Sequence, residues 1–289
     1  MIERWIWRNF GLSIPGDWEM LQFSRNHEIG RCAFADRHQF RFELNWRVVP
    51  GPPDFDRMMS DYLASLRERG MEGGSRFKHR AWHGVAGELD GQSSSRLGRW
   101  FPAEKCVVEL VFLWLRKQDA ALMRQIADSV REEPGQGGRF RRWRALGMDL
   151  LAAKDLPLHS CTVEPANVEM IFADQKKRSV ERFGRRGMVR EWLKQTPEQW
   201  LRSWVDKDLR GIQTSVVDVG DHSVNLLAGE LILPGLTRKR ANYDAAAWIC
   251  PADGRLYSAS FTGPDYAADA GAMVAGGRLS CCSALELPI

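Results

Sequence analysis

Two nearly identical pentapeptides, Val85-Ala-Gly-Glu-Leu89 and Leu227-Ala-Gly-Glu-Leu231, stand 142 positions apart (228 minus 86) in one chain. Other resemblances fall in the same order around them. Phe34-Ala-Asp36 precedes Phe172-Ala-Asp174 by 138 positions (172 minus 34), Pro102-Ala-Glu104 precedes Pro251-Ala-Asp253 by 149 (251 minus 102), and Phe112 precedes Phe261 by the same 149. Asp119-Ala-Ala-Leu-Met123 precedes Asp269-Ala-Gly-Ala-Met273 by 150 (269 minus 119). Offsets that grow slowly in one direction are what a duplication with small loop insertions leaves, the largest insertion falling around Pro234–Arg240. A repeat of this length fixes the domain count first. The reading is two copies of one domain, 1–133 and 143–289, with 134–142 as linker. Glu132-Glu-Pro-Gly-Gln-Gly-Gly138 combines Pro, Gly and charge and could not continue a helix.

Within the first copy, Gln39-Phe-Arg-Phe-Glu-Leu-Asn-Trp46 alternates large apolar and polar residues, the period of a half-buried strand. After Gly51-Pro-Pro53, residues 54–69 carry Phe55, Met58, Met59, Tyr62, Leu63 and Leu66 at helical spacing. Thr196 as N-cap, Pro197 at the first helical position, and Trp200, Leu201, Trp204 and Val205 on one face give the corresponding helix of the second copy. Strand-like runs follow each helix, at 76–82, 84–90, 93–101 and 106–115, and at 212–219, 223–232, 241–250 and 255–262. Further helices are expected at about 117–131 and 266–276. Runs of strands with the helices set apart point to an α+β class: two tandem α/β/α sandwich domains, each an antiparallel sheet covered by helices.

Phe10-Gly-Leu-Ser-Ile-Pro-Gly-Asp-Trp18, followed by strands, an amphipathic helix, a meander and a terminal helix, resembles the superfamily of PsbP, the Ran-binding Mog protein and bacterial DcrB-like proteins. The second copy departs from that pattern, with Leu150-Leu-Ala-Ala-Lys154 in place of the Pro and Trp. The resemblance implies α/β/α sandwiches in non-enzymatic binding, assembly or chaperone roles, with no catalytic residues to carry over.

Composition excludes little else. The 44% hydrophobic content suffices for real cores, and 41 basic against 37 acidic side chains is too balanced for a nucleic-acid footprint. The most apolar run, Cys106–Leu115, contains Glu109 and is about half a membrane span. Met1–Asn9 mixes charge with Trp, unlike a signal peptide. Six Cys without a CxxC pair suit a reducing cytoplasm.

Each candidate chemical group has a plainer reading beside it. His79 and His83 have the i,i+4 spacing of a helical metal site, but their segment reads as a strand, where residues four apart lie about 13 Å apart. Cys281-Cys282 could ligate a soft metal, yet adjacent residues in regular structure point to different faces and no second pair has ligand spacing. Ser93–Ser95 lacks a nucleophile elbow, and Gly135–Gly138 lacks the lysine of a phosphate loop. Glu88 and Glu230, one per repeat, read as a copied structural ion pair, with a general acid as the alternative.

Lys176, Lys177, Arg178, Arg182, Arg185, Arg186 and Arg190, with only Glu181 opposing them, read first as a solvated edge strand whose charges deter aggregation, with binding of an anionic partner as the alternative. Trp46, Trp100, Trp114, Trp200, Trp204 and Trp248 fit core positions. The resulting expectation is a cytoplasmic, non-enzymatic binding, assembly or chaperone-like protein, a pseudo-dimeric monomer with a protein partner and no membrane span, cofactor, metal or catalytic residues. An enzyme with its site between the domains and a nucleic-acid binder through 176–190 are the competing readings.

Overall fold

The computed structural model describes residues 2–115, 117–133, 139–204, 209–232, 240–263 and 278–282. The chain divides into two compact units, Met1–Glu133 and Pro134–Ile289. The first unit runs β1 (Ile2–Trp7), β2 (Phe10–Pro15), β3 (Glu19–Phe23), β4 (Ile29–Ala35), β5 (Phe40–Val48), α1 (Phe55–Glu68), β6 (Glu72–His79), β7 (Trp82–Leu89), β8 (Gln92–Phe101), β9 (Cys106–Leu113), α2 (Ala120–Ser129) and β10 (Arg131–Glu132). Seven of these strands form a sheet in the order β3-β4-β5-β9-β8-β7-β6, and β10, β2 and β1 form a ribbon. Every strand pair is antiparallel.

The second unit runs β11 (Phe140–Ala145), β12 (Met148–Ala153), β13 (Leu158–Glu164), β14 (Asn167–Ala173), β15 (Val180–Arg186), α3 (Val189–Trp192), α4 (Pro197–Trp204), β16 (Leu209–Val219), β17 (His222–Ile232), β18 (Arg240–Ile249), β19 (Leu256–Gly263) and β20 (Leu279–Ser280). Its sheet has the corresponding order, β13-β14-β15-β19-β18-β17-β16, and β11, β12 and β20 form its ribbon.

The recurrence of Ala-Gly-Glu-Leu has a structural cause in this topology. The motif lies in β7 and in β17, each next to an edge strand. In both sheets the edge strand bulges opposite the motif's glycine: the register slips between Glu72 and Ser75 facing Gly87, and between Arg210 and Gln213 facing Gly229. Gly73 (φ 60°) and Gly211 (φ 62°) supply the left-handed residue of each bulge. A Cβ on Gly87 would stand 3.0 Å from the Glu72 carbonyl oxygen, and one on Gly229 would stand 2.9 Å from that of Arg210. Only glycine lets the bulged backbone in.

The expected helix-covered sandwiches are not what forms. Strands hold 58% of the described residues and helices 14%, so the fold is mostly antiparallel β. The cause lies in the N-terminal residues of each unit, which make a layer of strand instead of helix. In Ile2–Trp7 the last three residues, Trp5, Ile6 and Trp7, are all buried, which a search for alternation passes over. Trp5 meets Phe34 of the sheet edge-on at 5.0 Å, Trp7 meets Phe23 at 5.2 Å, and Phe10 meets Phe101 at 5.2 Å. In the second unit Trp143 of β11 meets Phe172 of β14 at 5.2 Å.

The helices cover less. α1 packs Met59, Leu63 and Leu66 on Val85 near one sheet edge, and α4 packs Trp200 and Leu201 on Leu227 and Ala245. The capping reading of α4 holds at the atomic level: Thr196 Oγ1 accepts from the Gln199 amide and Gln199 Oε1 accepts from the Thr196 amide, each at 3.2 Å, a reciprocal capping box. β11 begins at Phe140, inside the stretch read as linker. The Pro134–Gly138 run and the helix expected at 266–276 lie outside the described residues. Among the described residues no helix is long and apolar enough to cross a membrane.

Candidate metal centre

Among the described residues, the most concentrated chemistry is at one end of the second unit's sheet. A two-residue turn, Gly220-Asp221, returns the chain from β16 into β17, whose first residue is His222, 1% exposed. Continuing the β17–β18 register beyond Asn225↔Ala247 sets His222 opposite Cys250, the first residue after β18. Cys250 opens a tight turn closed by Gly254 N–H donating to the Cys250 carbonyl at 2.8 Å, with Gly254 at φ 66°. In that turn the amides of Ala252 and Asp253 donate to Cys250 Sγ. The third contribution comes from Cys281 and Cys282, just past β20, which is held to β12 by Asp149↔Ser280 and Leu150↔Leu279.

These four side chains converge. Nε2 of His222 stands 3.5 Å from Cys250 Sγ, 3.2 Å from Cys281 Sγ and 3.5 Å from Cys282 Sγ. The Sγ atoms of Cys281 and Cys282 are 3.9 Å apart, and all four ligand atoms lie within 4.8 Å of one another. A tetrahedral zinc ion with Zn–S about 2.3 Å and Zn–N about 2.0–2.1 Å sets edges of about 3.8 Å between sulfurs and about 3.6 Å between nitrogen and sulfur. The three nitrogen–sulfur separations, 3.2–3.5 Å, and the one sulfur–sulfur separation of 3.9 Å lie near those edges, and the remaining sulfur pairs lie within 4.8 Å.

Hydrogen bonding alone accounts for the cluster poorly. An imidazole Nε2 carries one proton or one lone pair, which serves one sulfur and leaves two crowded against it. A cation at the centre engages all four atoms at once.

The surroundings suit thiolate ligands. The two backbone amides at Cys250 and the Trp248 indole, whose Nε1 donates to Cys281 Sγ at 3.3 Å, are donors that stabilise charge on sulfur. Burial pushes both the Cys250 and the Cys281 thiols up from the ordinary thiol range, a penalty on the bare thiolate that a bound cation offsets. Trp248 is itself fixed by stacking on Tyr257 at 5.9 Å. His222 Nδ1 has no hydrogen-bond partner among the described residues.

The sequence reading assigned no metal, on the ground that adjacent cysteines diverge in regular structure. That ground does not apply here, because Cys281 and Cys282 sit in a bend after a two-residue strand. Cys32, Cys106 and Cys161 take no part in the cluster. A search for paired CxxC spacing could not find ligands drawn one at a time from three elements. A usable signal was present in the repeat itself: at the offset of 149 shared by Pro251 and Phe261, Cys250 corresponds to Phe101, so a ligand-bearing position of one copy is non-ligating in the other.

The other candidates are scattered. His79 pairs with Asp128 at 2.8 Å, while His83, across the Arg80-Ala81 turn, stacks on Phe55 at 4.8 Å with Asp56 3.7 Å from its Nδ1. Ser95 Oγ accepts from Trp114 Nε1 at 3.1 Å. Glu230 pairs with Arg240 at 2.9 Å, and Glu88 lies exposed on β7.

The basic segment does not lie on an edge strand, because β15 runs between β14 and β19. Lys176, Lys177 and Arg178 sit exposed in the preceding turn, and Arg190 is exposed on α3. Arg182 lies over Trp204 at 5.1 Å; Arg186 lies over Trp200 at 5.0 Å and is 3.5 Å from Glu169. Arg185 engages Tyr257 from the opposite face. The seven cations therefore share no single surface.

The chain matches no model of a known protein family and no curated protein sequence.

Proposed function

We propose that the second unit is a metal-binding module in which Nε2 of His222 and Sγ of Cys250, Cys281 and Cys282 hold one zinc ion as a structural cross-link. The observation that carries this reading is the convergence of four ligand atoms within 4.8 Å of one another, with Nε2 of His222 3.2–3.5 Å from each of the three sulfurs. Three sulfurs and one imidazole select a thiophilic d-block cation over magnesium or calcium, which take oxygen ligands. Four protein ligands complete a tetrahedral shell and leave no position to activate water, so the site suits a structural role.

The test is metal analysis of the purified full chain, with cobalt(II) substitution. One zinc per chain is expected, together with a cobalt form showing thiolate-to-metal charge transfer and the intense visible bands of a tetrahedral site. The Cys281→Ser/Cys282→Ser double variant should lose both. A wild-type chain that carries no stoichiometric metal, and gives no thiolate charge transfer with cobalt, overturns the proposal.

A further inference from the structure

Two of the four ligands sit on a short segment, Arg278–Cys282, whose β-ladder contact with the unit is two residue pairs long. Something else has to hold it. Three residues before Cys281, Arg278 is 7% exposed, and its Nε and Nη2 both donate to the Leu151 carbonyl oxygen, at 3.0 and 2.9 Å. Nη2 also stands 2.6 Å from Oε2 of Glu181, a residue with no exposed surface. The same Glu181 oxygen accepts the Ala153 amide at 2.8 Å, so the carboxylate ties β15 to β12 and to the segment at once. The guanidinium lies 4.4 Å from the Phe261 ring centroid and 4.5 Å from that of Phe140. Phe261 is the ladder neighbour of Glu181 on one side and of buried Asp244 on the other, so the cation lies over a row containing two buried acids.

A buried ion pair of this kind is a poor source of net stability, since two charges have been taken out of water, but it fixes position closely. An arginine fork held on a carbonyl, a carboxylate and two ring faces has very little freedom left. Resting on the Cys3His reading above, we infer that Arg278 and Glu181 are positioning residues for the metal centre: they dock the C-terminal segment so that Cys281 and Cys282 already face His222 and Cys250 before the ion arrives. Ligands placed in advance bind with less loss of chain entropy, so the pair sets affinity without touching the ion. The coupling is reciprocal, and bound metal also holds the segment on the unit.

The test compares the full-length wild type with Glu181→Gln and Arg278→Lys by zinc competition against a chromogenic chelator, with cobalt spectra at saturation. Affinity is expected to fall about tenfold or more in both variants, while the saturated cobalt spectrum keeps the wild-type thiolate charge transfer, because the four ligands are unchanged. Leu201→Ala, in α4 on the opposite face of the sheet, is the control for general loss of stability and should leave zinc affinity within twofold of wild type. If Glu181→Gln does not accumulate as folded protein, Arg278→Lys, which keeps the charge but not the fork, makes the comparison.

Affinities within twofold of wild type for the folded variants overturn the inference, as does an equal loss in Leu201→Ala. A wild-type chain without thiolate-bound cobalt instead overturns the Cys3His reading, so the two failures are distinguishable.

Discussion

Removing the metal should loosen the second unit and leave the first unchanged. A ligand that binds only the folded state stabilises it by RT ln(1 + [L]/Kd), about 4.1 kcal/mol when free metal exceeds Kd a thousandfold. The second unit spans 156 residues (289 minus 133), and for a domain of that size each kcal/mol moves the melting temperature by about 2–4 °C. Chelation should then lower its transition by about 8–16 °C. In the first unit, Trp82 and Phe101 hold the equivalent sheet end, 1% and 2% exposed with ring centroids 6.1 Å apart. That contact is made by the two rings themselves. Calorimetry with and without chelator gives the size of the effect, and hydrogen exchange read by mass spectrometry gives its location. Amides of β17, β18 and β20 should lose protection while those of β7 and β8 keep theirs. A shift below about 2 °C, or equal loss in both units, would refute the reasoning.

Two further outcomes test the fold itself. Gly229→Val places a branched side chain against the Arg210 carbonyl and Leu209 of the bulged edge strand, so a loss of about 1–3 kcal/mol is expected in urea unfolding; a neutral result would show that the bulge gives way. For Asp36, burial by itself would raise the carboxyl, but the amides of Gln39 and His38 and the Arg41 guanidinium, at 3.1 Å, hold it below the usual carboxylate range. Its contribution is therefore complete above the unfolded value near 3.8 and fades as pH falls through the lower folded value. Urea midpoints of wild type and Asp36→Asn should converge below about pH 3.8; a gap that persists unchanged at pH 3 contradicts that assignment.

Strands with a clear period were legible in the sequence. Phe42, Leu44 and Trp46 of β5 are buried as their alternation requires, and the other meander strands fall close to their expected runs, but the run read as 76–82 is broken by the Arg80-Ala81 turn, which ends β6 at His79 and starts β7 at Trp82. The Thr196 and Pro197 signals mark the start of α4 because capping is local chemistry. The covering layer was not legible. Trp5, Ile6 and Trp7 are consecutive and all buried, so their strand shows no period of two, and only tertiary packing on Phe34 and Phe23 explains it. The same limit hid the metal centre, since no local spacing links His222, Cys250 and Cys281 until β17, β18 and β20 are laid together.

The contrast between the two units locates what the cluster does. In each sheet the turn into the strand beside the edge is followed by one residue, Trp82 or His222, that heads the strand: the ladder pair across the turn is His79↔Trp82 in one unit and Val219↔His222 in the other. The chain then leaves the next strand through Phe101 in one unit and reaches Cys250 in the other. Trp82 fills its place with a large ring and donates its indole N–H to the Ala127 carbonyl at 3.1 Å, tying the sheet end to α2. His222 and Cys250 are smaller and polar, and burying them unpaired would cost the second unit stability at the point where β20 must be held. A cation bound to them and to Cys281 and Cys282 satisfies the polar atoms and joins that strand to the sheet end. With the proposed ion bound, the two units close the same corner by different means, one with aromatic contact and α2, the other by coordination. Only the second depends on what the solution supplies.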